Sequence, residues 1–209
     1  MAYHAILFDI DNTLINSANL IAETLRTAAI KVENVEAPLE KYRQLIGQPG
    51  DKILRSFGVK DPETVLRYYM KDFTSNMHKL VYFPGIESLF EKLKHVDLKI
   101  GVVTSKNRFQ FDQETKYFPM IANTKIVTTS DLTAKPKPSG DPLIYTIKTN
   151  GLDPSTTLYV GDSVYDMRAA NEAKIDFAAA GWGALPDEKF ENAKYLLKKP
   201  EDLLKLVSL

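Results

Sequence analysis

Cysteine is absent from all 209 residues, which excludes a disulfide framework and any thiolate metal site and fits a reducing compartment. A surplus of either charge is missing as well. Lys+Arg and Asp+Glu number 27 each, so the chain lacks the basic excess expected of a nucleic-acid-binding domain. Long apolar runs are also lacking: nothing approaches the roughly 18 residues of a membrane span, and the opening MAYHAILFDI has no basic leader. There is no internal repeat and no low-complexity tract. These absences point to a cytoplasmic protein that engages neither membrane nor nucleic acid. Three histidines, His4, His78 and His95, share no spacing and fall at element ends, which favours surface roles over a metal site. Hydrophobic residues make up 44%, ample for the core of one large domain or of one domain with a smaller companion.

The stretch most unlike the rest is residues 5–14, AILFDIDNTL. An apolar run ends in two carboxylates, Asp9 and Asp11, either side of Ile10. Successive side chains of a strand point to opposite faces, so these two share one face if the strand continues. Like charges that close require a cation or a proton between them, which makes the pair a candidate site. An ordinary Asx-type turn at a strand end is the other reading of this segment taken alone.

Residues 17–80 carry apolar positions at three- and four-residue spacing, for example Leu20, Ile21, Thr24, Leu25 and Ala28, with Ser17 as a helix cap. Pro38, the Gly47 to Gly50 turn, and Gly58 with Pro62 cut this block into about four helices, the last over 62–79. From Pro84-Gly85 onward helices and strands alternate. Helices are predicted over 86–94, 107–117, 141–149, 163–173 and 200–207, and strands over 98–103, 125–129, 157–160, 175–180 and 194–197. That alternation predicts an α/β fold, a doubly wound parallel sheet covered on both faces, with an all-helical domain inserted after the first strand. The boundaries are residues 1–15 and 82–209 for the sheet domain and 16–81 for the insertion.

In such a sheet, ligands bind beyond the carboxyl ends of the strands. Those ends carry Asp9 to Thr13, then Thr104-Ser105-Lys106-Asn107, then Gly161-Asp162-Ser163-Val164-Tyr165-Asp166, with Lys135-Pro136-Lys137-Pro138 in a nearby loop. Thr104, Ser105 and the backbone N–H groups at the following helix start suit a phosphate. Ser163 and Asp166 also form an S-x-x-D capping box, so Asp166 has a structural and a supporting reading. Phe109, Phe111, Tyr117 and Phe118 fit core positions better than a cofactor stack, and Trp182 suits either packing or the rim.

The set DxDNT, TS, KP and GDxxxD, in that order at strand ends, resembles the haloacid dehalogenase superfamily of phosphohydrolases. The helical insertion after the first motif is similar to that of the phosphoglycolate phosphatase and β-phosphoglucomutase branch. The resemblance covers nearly the whole chain. It implies that Asp9 is the nucleophile, forming an aspartyl-phosphate, and that Asp11 is general acid and then general base. Asp9, the backbone carbonyl of Asp11, and Asp162 would hold Mg²⁺. Thr104 and Ser105 would bind the phosphoryl group, with Asn12 in the turn beside them, where glycine is commoner and a left-handed backbone is tolerated. A lysine would neutralise phosphate and nucleophile. Lys135 fits KPxP, whereas Lys137 lines up on KPxPDPL and stands four residues before a helix opened by Asp141-Pro142, a placement that favours Lys137 over Lys135 as the catalytic lysine. Gly47-Gln48-Pro49-Gly50 resembles the loop by which a cap covers the site, so Gln48 and Arg43 are substrate candidates. The implied activity is a Mg²⁺-dependent phosphatase for a small phosphorylated metabolite, phosphoglycolate first, acting as monomer or homodimer. A sugar-phosphate mutase and a catalytically idle binding module are the alternatives. Asp11 itself sets the chain apart from the dehalogenases, which lack the second acid.

Overall fold

The computed structural model describes residues 3–207. Their contacts form two compact units, Met1–Asn16 with Tyr82–Leu209, and Ser17–Val81. The chain opens with β1 (Ala5–Phe8), all four residues buried, and then leaves the sheet unit. The helical unit comprises α1 (Ala18–Glu33), α2 (Leu39–Arg43), α3 (Gly50–Ser56) and α4 (Pro62–Asn76), extended by a 3₁₀ turn at Met77–Lys79. Asp61 caps α4, its side chain accepting from the Thr64 N–H, and Pro62 occupies the first turn. Val65, Tyr69 and Phe73, four residues apart, are buried along one face of α4. Each such side chain stabilises by roughly 1.5–3 kcal/mol. Within the unit α1 packs on α2 and α4, and α3 on α4. Ser17 precedes α1 as expected but makes no capping bond to it. Its ψ of −15° is helical rather than extended, which turns the hydroxyl away from the second and third N–H groups.

The sheet unit resumes with α5 (Ile86–Leu93), β2 (Lys99–Val103), α6 (Arg108–Glu114), α7 (Pro119–Ala122), β3 (Ile126–Thr128), α8 (Asp141–Asn150), β4 (Thr157–Gly161), α9 (Val164–Glu172), β5 (Asp176–Ala180) and β6 (Tyr195–Leu197). All pairings are parallel, in the order β3-β2-β1-β4-β5-β6. This is the doubly wound α/β fold expected from the sequence. No helix among the described residues is long and apolar enough to cross a membrane.

Two helices differ from expectation. The helix predicted over 107–117 ends at Glu114, and α7 starts at Pro119, which holds Phe118 out of helical geometry with ψ at 72° and so separates the two helices. Phe111 and Phe118 are buried, but Phe109 and Tyr117 are exposed at 63% and 49%, which corrects their assignment to the core. The buried face of α6 is set by Phe111 and Glu114, three residues apart, and Phe109 falls off that stripe. The segment Pro200–Leu206 winds as a 3₁₀ helix rather than an α-helix, and nothing in its contacts explains the tighter winding.

The strand order places the site. β1 lies between β2 and β4, with Phe8 opposite both Val102 and Val160. The chain builds outward to one side through β2 and β3 and to the other through β4, β5 and β6. β1 is therefore the switch point, where doubly wound sheets open a crevice.

Candidate active site

Continuing the register one residue beyond β1 brings Asp9 level with Val103 and Gly161, so Thr104 and Asp162 leave the sheet immediately beside it. The Asp9 N–H donates to the Val160 carbonyl at 2.9 Å, which extends the ladder to the aspartate. Beyond it the chain turns. Asn12 takes a left-handed backbone, φ 56°, and its amide donates to the Gly183 carbonyl at 2.9 Å. A Cβ on Gly183 would lie 1.7 Å from the Asn12 carbonyl oxygen, so only glycine permits this approach. The Trp182 indole donates to the Thr13 carbonyl, and the Thr13 hydroxyl donates to Asp162 Oδ1, each at 2.9 Å. Trp182 thus braces the first loop from the turn that follows β5.

Lys137, 2% exposed, is the lysine brought to Asp9. Its ammonium donates to Asp9 Oδ1 at 2.6 Å, to Asp166 Oδ1 at 2.7 Å and to the Tyr159 hydroxyl at 3.0 Å. Lys135 is exposed. Asp166 serves twice: its Oδ2 accepts from the Ser163 hydroxyl and N–H, completing the capping box that opens α9. Gly161 makes room for this, since a Cβ there would come within 2.5 Å of the Asp166 side chain.

Thr104 is buried, and its hydroxyl accepts from the Lys106 N–H at 3.2 Å; Ser105 is half-buried beside it. A capping box between Asn107 and Gln110 then opens α6. Asp11 is paired with Lys106, whose ammonium also lies 3.3 Å from Glu114. Arg43 and Gln48 belong to the helical unit, Arg43 pairing with Glu40 at the end of α2 and Gln48 lying in the turn before α3. His4, His78 and His95 are exposed.

Burial dominates the electrostatics. It pushes the Asp9 carboxyl up to about 7, with Lys137 pulling back and Asp166 and Asp11 adding repulsion. Asp162 is driven well above the usual carboxylate range by burial and by Asp166 and Asp9. Burial opposes the charge of Lys137, yet Asp166 and Asp9 hold its pKa well above the ordinary value, so it stays an ammonium. Glu114, also buried, is pushed up to about 7, with Lys106 opposing.

Oxygens of Asp9, Asp162 and Asp166 lie within 4.8 Å of one another. Five carboxylates, counting Asp11 and Glu114, meet two ammonium groups on this rim. A hard divalent cation fits such an oxygen-rich, acid-heavy cluster. Asp166 is committed to Lys137 and Ser163, which leaves Asp9 and Asp162 as the better side-chain ligands. Sequence reasoning missed Lys106, Glu114, Tyr159 and Thr13. Glu114 carried a signal, an acid on the apolar stripe of α6; Tyr159, apolar-looking within a buried strand, carried none.

A parallel sheet whose switch point presents a carboxylate nucleophile candidate, a second acid two residues on and a buried lysine defines a hydrolase of the phosphatase class. The chain belongs to the haloacid dehalogenase-like hydrolase family, whose model matches residues 6–180. Among curated relatives, it is 30% identical over 217 residues to the phosphoglycolate phosphatase of Aquifex aeolicus, covering 97% of this chain and 95% of that one. It is 27% identical over 205 residues to pyrophosphatase PpaX of Bacillus velezensis, with 96% and 94% covered. A solved hydrolase structure from Pseudomonas syringae shares the fold at a TM-score of 0.87 and 24% identity, over 98% of this chain and 99% of that one.

Proposed function

We propose that the protein is a Mg²⁺-dependent phosphomonoester hydrolase acting on a small phosphorylated metabolite through an aspartyl-phosphate. The reading is carried by one observation: Asp9, at the switch point, is held by Lys137 2.6 Å away, with Asp11 two residues beyond. An Asp9 oxygen attacks phosphorus, and the bond from phosphorus to the leaving oxygen breaks. Asp11 gives that oxygen a proton. Water then attacks the phosphoryl group, Asp11 takes the water's proton, and the bond to Asp9 breaks, returning the carboxylate and inorganic phosphate. Lys137 neutralises charge on Asp9 and the transferring group. Thr104 and Ser105 hold the phosphoryl oxygens. Mg²⁺, held by Asp9, Asp162 and the backbone carbonyl of Asp11, would supply further charge neutralisation at the phosphoryl oxygens. The helical unit is the part we assign to substrate selection, with Arg43 and Gln48 as its candidates.

Phosphoglycolate is the first substrate of this reading, supported by the relative named for it. Pyrophosphate is the second, favoured by the PpaX relative of nearly full length. Hydrolysis of both, with and without Mg²⁺, tests the assignment, and hexose 1-phosphate in the same assay tests the mutase alternative. Asp9→Asn should lower turnover by roughly 10⁴-fold or more and remove the hydroxylamine-sensitive phosphoenzyme. Retained turnover or retained phosphoenzyme would overturn it.

A further inference from the structure

Lys106 has no part in the reaction as derived above, yet it is 8% exposed and sits against the acid that serves the leaving group. We propose that Lys106 is the receptor for a second negative charge on the substrate, a carboxylate or second phosphoryl group attached close to the leaving oxygen. The inference rests on the aspartyl-phosphate reading. If Asp11 delivers its proton to the leaving oxygen, the atoms bonded to that oxygen lie beside the carboxylate of Asp11. The ammonium paired with that carboxylate is then a charge within their reach. Buried ammonium groups are costly unless compensated, and partial burial strengthens the compensation. Asp11 compensates Lys106 in the structure described here. A substrate carrying its own anion would take over as partner, and Glu114, 3.3 Å behind, would keep the ammonium in place during the exchange.

Lys106 lies three residues beyond the end of β2, and its backbone N–H donates to the Thr104 hydroxyl. The residue proposed to hold the phosphoryl group and the one proposed to hold the second anion are thereby fixed to one another two positions apart. That spacing suits a compact substrate with both charges on neighbouring groups. Phosphoglycolate and pyrophosphate both have this character, whereas a simple alkyl phosphate does not. Selectivity of this kind belongs to the sheet unit itself and adds to whatever the helical unit contributes.

The test compares 2-phosphoglycolate with 2-phosphoglycolamide, in which the carboxylate is replaced by a neutral amide. The native protein should favour the acid by at least about tenfold in kcat/KM, and a ratio near one overturns the inference while leaving the phosphatase reading intact. Lys106→Gln should collapse that ratio at least about tenfold, chiefly through KM for the acid, and Lys106→Arg should restore part of it. Equal losses for both esters would assign Lys106 to holding Asp11 only. The native ratio needs no variant, so a misfolded substitution does not spare the proposal. Hydrolysis of neither compound nor of any member of a wider ester panel would sink the phosphatase reading, and this inference with it.

Discussion

Lys137 and Lys106 are both buried, both paired with an aspartate of the first loop, and both backed by a second acid. They are held very differently. Lys137 donates to Asp9, Asp166 and Tyr159 at 2.6 to 3.0 Å; the Asp9 N–H continues the β1 ladder, and Asp166 closes the capping box of α9. Lys106 donates to Asp11, which lies outside the regular strands and helices, and has Glu114 at 3.3 Å. In the reaction proposed above, the first lysine keeps its partners and the second exchanges one. The proposed nucleophile and leaving group would make those two demands: charge at Asp9 in place before reaction, and charge near Asp11 that accommodates what arrives.

The sharpest way to break the contrast is Lys137→Ala, which strips Asp9 and Asp166 of their shared cation. Turnover should fall about 10²–10³-fold and stability by roughly 3–5 kcal/mol, read from steady-state rates and urea unfolding. Lys135→Ala should change either by less than about twofold, and comparable effects from the two lysines would void the distinction. Next comes Asp11→Asn. It should lower kcat by roughly 10²-fold while leaving Mg²⁺ affinity near the native value by calorimetry, since the proposed metal contact there is backbone.

A smaller effect tests the acids as a group. Asp9 and Glu114, pushed up to about 7, keep in the folded protein a proton that the unfolded chain releases near its ordinary carboxylate value. The folded state then binds more protons between roughly pH 4 and 7, so stability is greatest below that window and is lost as pH rises through it. Metal-free protein should melt several degrees lower at pH 8 than at pH 5.5, at about 2–4 °C per kcal/mol. Saturating Mg²⁺ should recover most of the loss at pH 8, and a Tm rising with pH in the metal-free protein would contradict the assignment. The smallest change is Tyr159→Phe. Losing one hydroxyl next to Lys137 should cost about 1 kcal/mol and lower kcat a few-fold, with KM for the ester little altered.

The two lysines also mark what a sequence can disclose. Lys137 was legible because Asp141-Pro142 fixes the start of α8 and so counts the lysine back from a helix, and strand spacing alone put Asp9, Thr104 and Asp162 on one sheet edge. Lys106 stands in the segment after β2 without any distinguishing neighbour, for its partner Glu114 lies eight residues on, across a helix whose turn must form before the two meet. Tyr159 was hidden by propensity: tyrosine is ordinary in strands, and only the register of β1 and β4 reveals that its hydroxyl ends beneath the ammonium. Phe109 shows the opposite failure, an aromatic whose type suggests a core that its helix phase denies.

Position 161 has zero clearance. Where a strand ends and a helix begins, the only thing separating the β4 backbone from the carboxylate that steadies Lys137 is a glycine hydrogen. Any larger group works like a shim driven into a bearing: it lifts Asp166 from the ammonium and from the first turn of α9 together. An alanine there, carrying no charge and no proton to exchange, is thus a means of loosening Lys137 without touching a single charge.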